Sequence, residues 1–288
     1  MTMAVPVGVV VAHRNQGVRC VATLRRFLEQ DVPVDLIVVD NGSRPDELAL
    51  VRSSGIDATV IETGTNTGFG PSLNIGLRRW LRHGQGDWVV AAPHDALLQP
   101  GGIAQLVTIA EGRINAGVVC ADVGDQATPT VDPVLGAIPG RAMMRDGWED
   151  AHYPHGTLML FRRQCLLDIG LFDERYFAYN DEADIGIRAR AAGWGVGLAR
   201  GVMVENPSTS TGPAVIDYLR LRNTLLMQHE HFGRRNAAMR AIIALANVVH
   251  ATVRPSVRPP WYTGSARLRG INAAVRRRWG PPPADLFL

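Results

Sequence analysis

Three carboxylates lie within four positions of one another in the second half of the chain, and their spacing is the strongest sign of chemistry in the sequence. They are Asp181, Glu182 and Asp184. The pattern predicts that they open a helix, with Asn180 as its N-cap and Gly193 just after its end. Clustered carboxylates can raise the pKa of one member into the working range of a general base. The dipole of any helix also favours acids in its first turn, by about 0.3–1 kcal/mol each, so both interpretations stay open here.

Other polar residues follow the apolar segments that we predict to be strands. The predicted strands are 5–12, 34–39, 58–62 and 88–92. Helical patterns separate them, and this alternation predicts a parallel, doubly wound α/β sheet. Ligands of such sheets bind at the carboxyl ends of the strands, where Asp40 and Asp95 stand. Asp95 is a candidate metal or phosphate ligand, and an ordinary turn aspartate is the alternative.

A glycine-rich turn follows the third predicted strand. It reads NTGFGPSLNIG from Asn66 to Gly76 and leads into a helix that we expect to run to about Leu81. The N-terminus of such a helix can face a phosphate group. The turn is not GxGxxG and does not follow the first strand, which disfavours a dinucleotide-binding dehydrogenase.

Composition sets broad limits on the class of protein. The 288 residues are 46% hydrophobic, which suits one large α/β domain, alone or with an appendage. Three cysteines without a CxxC pair fit a reducing compartment and no disulfide or zinc framework. We find no signal peptide and no apolar run of membrane-spanning length. We therefore expect a cytoplasmic protein, soluble or peripheral at the inner face of the membrane.

The basic residues are unevenly distributed, and all 30 of them are arginine. Ten arginines and no acid lie between His231 and Ala284, while the remainder has 20 arginines against 27 acids. We therefore divide the chain into a domain at 1–232 and an arginine-rich helical extension at 233–288. The asymmetry predicts an anionic partner, most simply a membrane surface or a lipid phosphate. The alternative is that the extension packs on its own domain or on the second copy of a homodimer, and the lack of interleaved aromatic residues disfavours nucleic acid.

Five segments in this order resemble one enzyme family. They are VVDNGS (38–43), NTGFGPSLNIGL (66–77), Asp95, HGTLMLFRR (155–163) and GLFDERYFAYNDEADIGIRARAAGW (170–194). Together they resemble the family 2 glycosyltransferases of GT-A fold, particularly the bacterial rhamnosyltransferase-like branch. The resemblance implies a Rossmann-like, mixed and mostly parallel sheet flanked by helices. It also implies inverting transfer of a sugar from a dTDP- or UDP-sugar to an acceptor hydroxyl.

The resemblance assigns roles to individual residues. Glu182 matches the catalytic base, Asp181 its neighbour in the acid pair, and Asp184 an acid that orients the loop or the acceptor. The residues that match the donor-binding positions are Asp40, Asn41, Asn66, Gly68, Asn74 and Arg222. A divalent cation, Mg²⁺ or Mn²⁺, is expected on the donor diphosphate, with Asp95 and Glu205 as its protein ligands.

Several positions depart from the family pattern. The acid pair is reversed, since the usual order is Glu-Asp, and the metal motif Pro93-His94-Asp95 holds one carboxylate where two are common. Glu205 stands where many relatives have a histidine ligand. Arg222 has the alternative of being an ordinary helix-surface arginine. These departures motivate a second hypothesis, a non-catalytic nucleotide- or glycan-binding relative of the same fold.

The acceptor is the least determined partner. The polar stretch from Gly124 to Tyr153 is expected to be a loop region with an edge strand, facing the acceptor as a flap. That acceptor could be a glycan, a lipid-linked sugar or a small molecule.

A nucleotidyltransferase is disfavoured as an alternative class of enzyme. Such enzymes normally need a glycine-rich loop directly after the first strand, and the segment from Ala12 to Gly17 is poor in glycine.

Overall fold

The computed structural model describes residues 5–206, 211–258 and 262–287. Eleven strands lie in these residues: β1 Val7–His13, β2 Val34–Asp40, β3 Thr59–Glu62, β4 Trp88–Pro93, β5 Leu97–Leu98, β6 Ala116–Asp122, β7 Ala127–Asp132, β8 Gly136–Arg141, β9 Gly147–Asp150, β10 Met159–Arg162 and β11 Gly195–Glu205. The α-helices there are α1 Gly17–Leu28, α2 Pro45–Arg52, α3 Phe69–His83, α4 Gly102–Glu111, α5 Arg163–Ile169, α6 Asp181–Ala191, α7 Pro213–Val253 and α8 Gly264–Val275.

The main sheet is mixed and mostly parallel, as the resemblance implied. Its strand order is β3-β2-β1-β4-β10-β6-β11-β5, and β9 also pairs with β11. Strand β10 runs antiparallel to β4 and β6, whereas β1 pairs in parallel with β2 and β4. The carboxyl ends of β1, β2 and β4 therefore meet at one edge, where Asp40 and Asp95 lie.

Helices cover both faces of the sheet because its central strands are buried on both sides. Along β1 the side chains alternate: Val9 and Val11 join the core beneath α1 and α4, and Val10 joins the core beneath α3 and α6. This period of two is the geometry of a pleated strand. Close packing fixes α3 on the sheet, since a Cβ atom at Gly8 would lie 2.3 Å from Nε1 of Trp80.

The polar stretch from Gly124 to Tyr153 is more regular than we predicted. Strands β7 and β8 form a separate two-stranded antiparallel hairpin, and β9 is the expected edge strand, paired with β11. The hairpin packs against α7, so the stretch forms a wall of the molecule rather than an irregular loop.

The long element α7 is interrupted at Gly233, so its two halves are separate helical segments. This glycine has φ 86° and ψ 168°, which is not helical. The extension beyond it packs back on the domain through α8, which lies along α7, and the main-chain nitrogen of Gly280 donates to Arg175. The division of the chain at residue 232 stays a prediction.

Candidate active site

A cavity of about 490 Å³ opens at the carboxyl ends of β1, β2 and β4. Three of the predicted donor-binding residues, Asn41, Asn66 and Gly68, line it. His13 and His94 contribute to the same wall, with their rings in an edge-to-face contact at 5.7 Å between centroids. We call this space the donor cavity.

Asn41 builds the turn that borders the donor cavity. Its side-chain nitrogen donates to the side-chain oxygen of Asn66 at 3.1 Å and to the main-chain oxygen of Gly68 at 2.9 Å. Its oxygen accepts from the main-chain nitrogen of Thr67 at 2.7 Å. The end of β2 thus fixes the glycine-rich turn, which explains why both segments are needed at this edge.

Asp40 lies behind the cavity wall. It is 2% exposed and does not line the cavity, and its Oδ1 lies 3.0 Å from Nδ1 of His13. Burial lowers the pKa of His13 and nearby His94 lowers it further, although Asp40 opposes both. A neutral His13 therefore sits between a carboxylate and the cavity, and direct contact of Asp40 with a nucleobase stays a prediction.

A second cavity, of about 430 Å³, lies between the β7–β8 hairpin and helices α7 and α8. Glu182 lines it, half-buried, beside Tyr153 and His155. A Cβ atom at Gly156 would lie 3.8 Å from the Glu182 carboxyl group, so the His155-Gly156 turn is in van der Waals range of that acid. We call this space the acceptor-side cavity.

Asp181 differs from Glu182 although the two are adjacent. Its side chain is fully buried against the first turn of α3, where a Cβ atom at Gly70 would lie 2.7 Å from Oδ2. Neither carboxyl oxygen has a hydrogen-bond partner of good geometry in the described part of the chain. Burial raises the pKa of Asp181 well above its usual value, and the charge of Glu182 raises it further. The surroundings of Asp181 therefore favour its protonated form over its ionised form.

Asp184 is held by two side chains. His231 Nε2 lies 2.7 Å from Oδ1, and Arg188 Nε donates to Oδ2 at 2.8 Å. Burial alone would raise the pKa of Asp184, but the hydrogen bond from His231 and the charge of Arg188 outweigh it and lower the pKa. Asp184 thus joins α6 to α7, and its role in orienting the loop or the acceptor stays a prediction.

The two predicted metal ligands come from strands that are not adjacent in the main sheet. Buried Asp95 lies between β4 and β5, while Glu205 ends β11, where its main chain pairs with Leu97 of β5. Within the described residues, no group of three or more histidine, cysteine, aspartate or glutamate side chains is arranged to hold a metal. Mg²⁺ commonly uses one or two carboxylates together with substrate phosphates, which is the number that Asp95 and Glu205 would supply.

A strained segment just before α6 borders both cavities. Phe177, Tyr179 and Asn180 have φ values of 68°, 66° and 65°, which non-glycine residues rarely adopt. Tyr179 lines both the donor cavity and the acceptor-side cavity. Strain of this kind persists only where surrounding contacts enforce it, and it clusters at functional sites.

Comparison with known proteins identifies the chain. A family model described as "Glycosyltransferase like family 2" matches residues 5–224, about three-quarters of the sequence. The chain belongs to this family. It is a glycosyltransferase.

Individual relatives are similar over most of the chain. An N-acetylglucosaminyl-diphospho-decaprenol L-rhamnosyltransferase of Mycobacterium tuberculosis is 25% identical over 280 residues, which is 82% of this chain and 90% of that protein. The low-salt glycan biosynthesis hexosyltransferase Agl10 of Haloferax volcanii is 24% identical over 214 residues, or 69% of each chain.

Solved structures confirm the GT-A-like fold. The mannosyltransferase PcManGT from Pyrobaculum calidifontis, solved with GDP-Man and Mn²⁺, has a TM-score of 0.62 and 16% identity, with 96% of this chain and 89% of that chain covered. Residues 1–349 of S. aureus TarS, solved with UDP-GlcNAc, have a TM-score of 0.53 and 16% identity, with 88% and 74% covered.

Besides Asp40, two predicted donor-binding residues of the glycosyltransferase lie outside the donor cavity. Asn74 is buried in α3, where its side chain bonds both the main-chain nitrogen and the main-chain oxygen of Phe172. Arg222 is fully buried in α7 and donates to the main-chain oxygens of Tyr176 and Gly280. Both brace the segment before α6, so Arg222 is not an exposed helix-surface arginine, and its contact with a phosphate stays a prediction.

The glycosyltransferase also contains site residues that our sequence analysis did not single out. His13 was treated as part of a loop, although it is the first polar residue after the buried run of β1. Asn223 is a second such residue, since its side-chain nitrogen donates to the main-chain oxygens of Ala178 and Tyr179 at 2.7 Å each. Its place in the middle of a helix gave no local signal for this role.

Proposed function

We propose that this glycosyltransferase transfers a sugar with inversion from a nucleoside diphosphate sugar to an acceptor hydroxyl, with Glu182 as the general base. The observation that carries the proposal is that Tyr179 borders two cavities. One cavity has the polar turn of Asn41 and Asn66, and the other has Glu182. A donor and an acceptor could therefore meet across one short segment with a carboxylate on the acceptor's side.

The proposed reaction needs one carboxylate near the acceptor. Glu182 would take the proton of the acceptor hydroxyl as its oxygen attacks the anomeric carbon, and the bond from that carbon to the diphosphate breaks. Asp181 is fully buried and lines neither cavity, so Glu182 is the member of the acid pair that can face an acceptor. No second carboxylic acid is required, in contrast to glycoside hydrolysis, because a diphosphate leaves without being protonated when its charge is stabilised.

Asp95 and Glu205 are the residues that would hold a divalent cation with the donor diphosphate. Two carboxylates completed by phosphate oxygens fit Mg²⁺ or Mn²⁺, and such an ion stabilises the charge of a leaving diphosphate. PcManGT was solved with Mn²⁺, which supports testing that ion first. We expect Asp95→Asn to reduce transfer more than Glu205→Gln, because Asp95 is buried next to His94, which lines the donor cavity, whereas Glu205 is exposed.

The test is nucleoside diphosphate release by the full chain, with UDP-, dTDP- and GDP-sugars and with Mg²⁺ or Mn²⁺. Glu182→Gln should lower transfer by about 10²-fold or more and leave nucleotide affinity unchanged. Glu29→Gln, an exposed position directly after α1, is the matched control. Full transfer by Glu182→Gln would contradict the assignment of the base, and the anomeric configuration of the product, read by NMR, tests inversion.

We further propose that the second half of α7 lies on an anionic membrane surface. Among the described residues, α7 alone is long and apolar enough to span a membrane by length and composition, and 17% of its most apolar window is buried. Beyond Gly233, exposed apolar side chains form one stripe: Met239, Ile242, Leu245, Val249 and Val253. Buried Ala244, Val248 and Ala251 lie on the opposite face of the helix. An apolar stripe in a segment with ten arginines and no acid favours a helix that lies in the interface.

Vesicle binding tests this contact. The Ile242→Glu/Val249→Glu double variant should bind vesicles containing phosphatidylglycerol about tenfold or more weakly than the wild type. Ile114→Glu is the matched control, since Ile114 is fully exposed elsewhere. If the stripe is instead the interface of a homodimer, analytical ultracentrifugation will show that the double variant dissociates while vesicle binding is unchanged, and the membrane proposal is then wrong.

A further inference from the structure

Three arginines line the acceptor-side cavity together with Glu182. They are Arg220 and Arg240 of α7 and Arg267 of α8. Three acids line the same space, namely Asp125, Asp217 and Glu182 itself. The positive groups come from two helices that meet at one wall, so they face a common volume of about 430 Å³.

The arginines differ in their partners. Arg267 is paired with buried Asp217, at 3.0 Å between Nη2 and Oδ1, and its charge is largely compensated. Arg240 donates one hydrogen bond in the described structure, from Nε to the main-chain oxygen of Leu135 at 3.2 Å. Arg220 lies over the ring of Tyr179, 5.5 Å from its centroid. Within the described part of the chain, neither Arg220 nor Arg240 forms an ion pair with a carboxylate.

The electrostatic surroundings make Arg240 the least compensated of the three. Burial lowers its pKa, and the charge of Arg267 lowers it further. Arg240 nevertheless stays charged, because guanidinium groups keep their proton in proteins. A half-buried cation with a like charge beside it is stabilised by any anion that enters the cavity.

We propose that Arg220 and Arg240, with Arg267 beside them, form a subsite for a phosphate or diphosphate group carried by the acceptor. The inference rests on the transfer reaction proposed above and adds the chemical class of the acceptor. Guanidinium groups bind phosphate through paired hydrogen bonds, and Arg240 and Arg220 have terminal nitrogens free for this role in the described structure. The sugar hydroxyl of such an acceptor would lie toward Glu182 and Tyr179, at the side that borders the donor cavity.

The position of Arg240 relative to the apolar stripe favours a lipid-linked phosphate over a soluble one. Arg240 faces the cavity from the same helix that exposes Ile242 and Val249 on another face. A helix is about 10 Å across, so a helix lying on a membrane would hold the subsite close to the headgroup layer. A phosphate linked to a lipid is held near that layer.

The probes are inorganic pyrophosphate and geranyl diphosphate, titrated calorimetrically into the full chain in EDTA without vesicles. EDTA removes the divalent cations through which a diphosphate would be held in the donor cavity. We expect both probes to bind, and tighter binding of geranyl diphosphate would identify a lipid-linked group, whereas equal affinities would identify a free or soluble phosphate. If the wild type binds neither probe, the subsite does not exist.

The variants are Arg240→Gln and Arg220→Gln. Each should weaken binding of the probes by about tenfold or more, because each removes charge-assisted hydrogen bonds. Arg26→Gln, at a half-buried position of α1 that does not line the cavity, is the matched control and should bind as the wild type does. Arg220→Gln leaves the contact between Arg240 and Leu135 intact, so a loss in that variant cannot come from a displaced hairpin. Unchanged affinity in both variants would overturn the proposal.

Failure of this inference can be separated from failure of the proposed transfer reaction. Glu182→Gln should bind pyrophosphate at least as well as the wild type, because it removes a negative charge from the cavity. If probe binding depends on the arginines but no donor is turned over, the subsite stands and the proposed reaction is wrong. If a donor is turned over but the affinity for the probes is unchanged by the arginine substitutions, the proposed reaction stands and the proposed acceptor class is wrong.

Discussion

The side-chain nitrogen of Asn223 lies 2.7 Å from the main-chain oxygen of Tyr179, a residue held at a φ of 66°. The contact joins the first half of α7 to the segment that borders both cavities. Because the left-handed backbone is unfavourable for a side chain as large as tyrosine, the segment needs such external hydrogen bonds to keep its shape. Asn223 is fully buried, so water cannot replace it there.

Asn223→Ala is therefore expected to lower both stability and transfer. The main-chain oxygens of Ala178 and Tyr179 would lose their donor, and we expect the free energy of unfolding to fall by about 1–3 kcal/mol. Urea unfolding measures this, with exposed Asn272→Ala on α8 as the control. We also expect kcat to fall more than nucleotide affinity, because the segment carries Tyr179 and leads into Glu182. A variant with wild-type stability would show that the segment keeps its shape without Asn223.

Asp181→Asn should change how stability depends on pH. Because the pKa of Asp181 is raised in the folded chain, its contribution to the free energy of unfolding is complete below the unfolded pKa of about 4. That contribution is lost as the pH rises toward the pKa of the folded state. Asparagine cannot ionise, so the variant should gain stability relative to the wild type as pH rises from about 4 to 7. Urea unfolding at several pH values tests this against Asp46→Asn, an exposed acid on α2. Parallel curves for the wild type and Asp181→Asn would show that Asp181 is ionised in the folded chain.

His231→Ala should have the opposite pH signature. The pKa of Asp184 is lowered, so its stabilising contribution is present above the unfolded pKa of about 4 and is lost as pH falls through the folded value. Removing the hydrogen bond from His231 should reduce the free energy of unfolding by about 1–3 kcal/mol at pH 7. The difference from the wild type should shrink below pH 4. His250→Ala, at an exposed position of α7, is the control, and an equal loss in both variants would argue against a specific contact.

Gly68→Ala should disturb the donor cavity through a single methyl group. Gly68 has a φ of 106°, and a Cβ atom there would lie 2.2 Å from the main-chain oxygen of Phe177. Gly64→Ala is a matched control, because Gly64 also has a positive φ, 72°, but has open space around it. Both variants should lose about 1 kcal/mol from the backbone conformation, and only Gly68→Ala should also lose nucleotide affinity. Equal nucleotide affinities in the two variants would show that the contact with Phe177 is unimportant.

The architecture could be predicted well because its signals are local. The apolar runs of β1, β2 and β4 lie within a residue or two of the predicted bounds. The order of the motifs predicted the family, and the Gly-rich turn does border a cavity next to Asn41 and Asn66.

The candidate site was harder to predict where a residue acts on a distant segment. Asn180 does precede α6, but its side chain makes no cap and instead donates to Thr224, 44 positions away. Asn74 and Arg222 likewise use their polar groups on the main chain of 172–176. The sequence alone does not distinguish a side chain that contacts a ligand from a side chain that holds the ligand-binding loop in place.

Because α7 is interrupted at Gly233, the backbone torsion angles of this one residue set the direction of the second half of the helix. The φ of 86° there is accessible to glycine at no cost, whereas another residue would favour a continuous helical rod. In a continuous helix, the 20 residues that follow Gly233 would point in a different direction. Arg240 would then lie outside the cavity, and the apolar stripe would no longer lie in its present plane. The relative orientation of the two halves of α7, and with it the proposed contact with a membrane surface, therefore depends on a glycine at this one position.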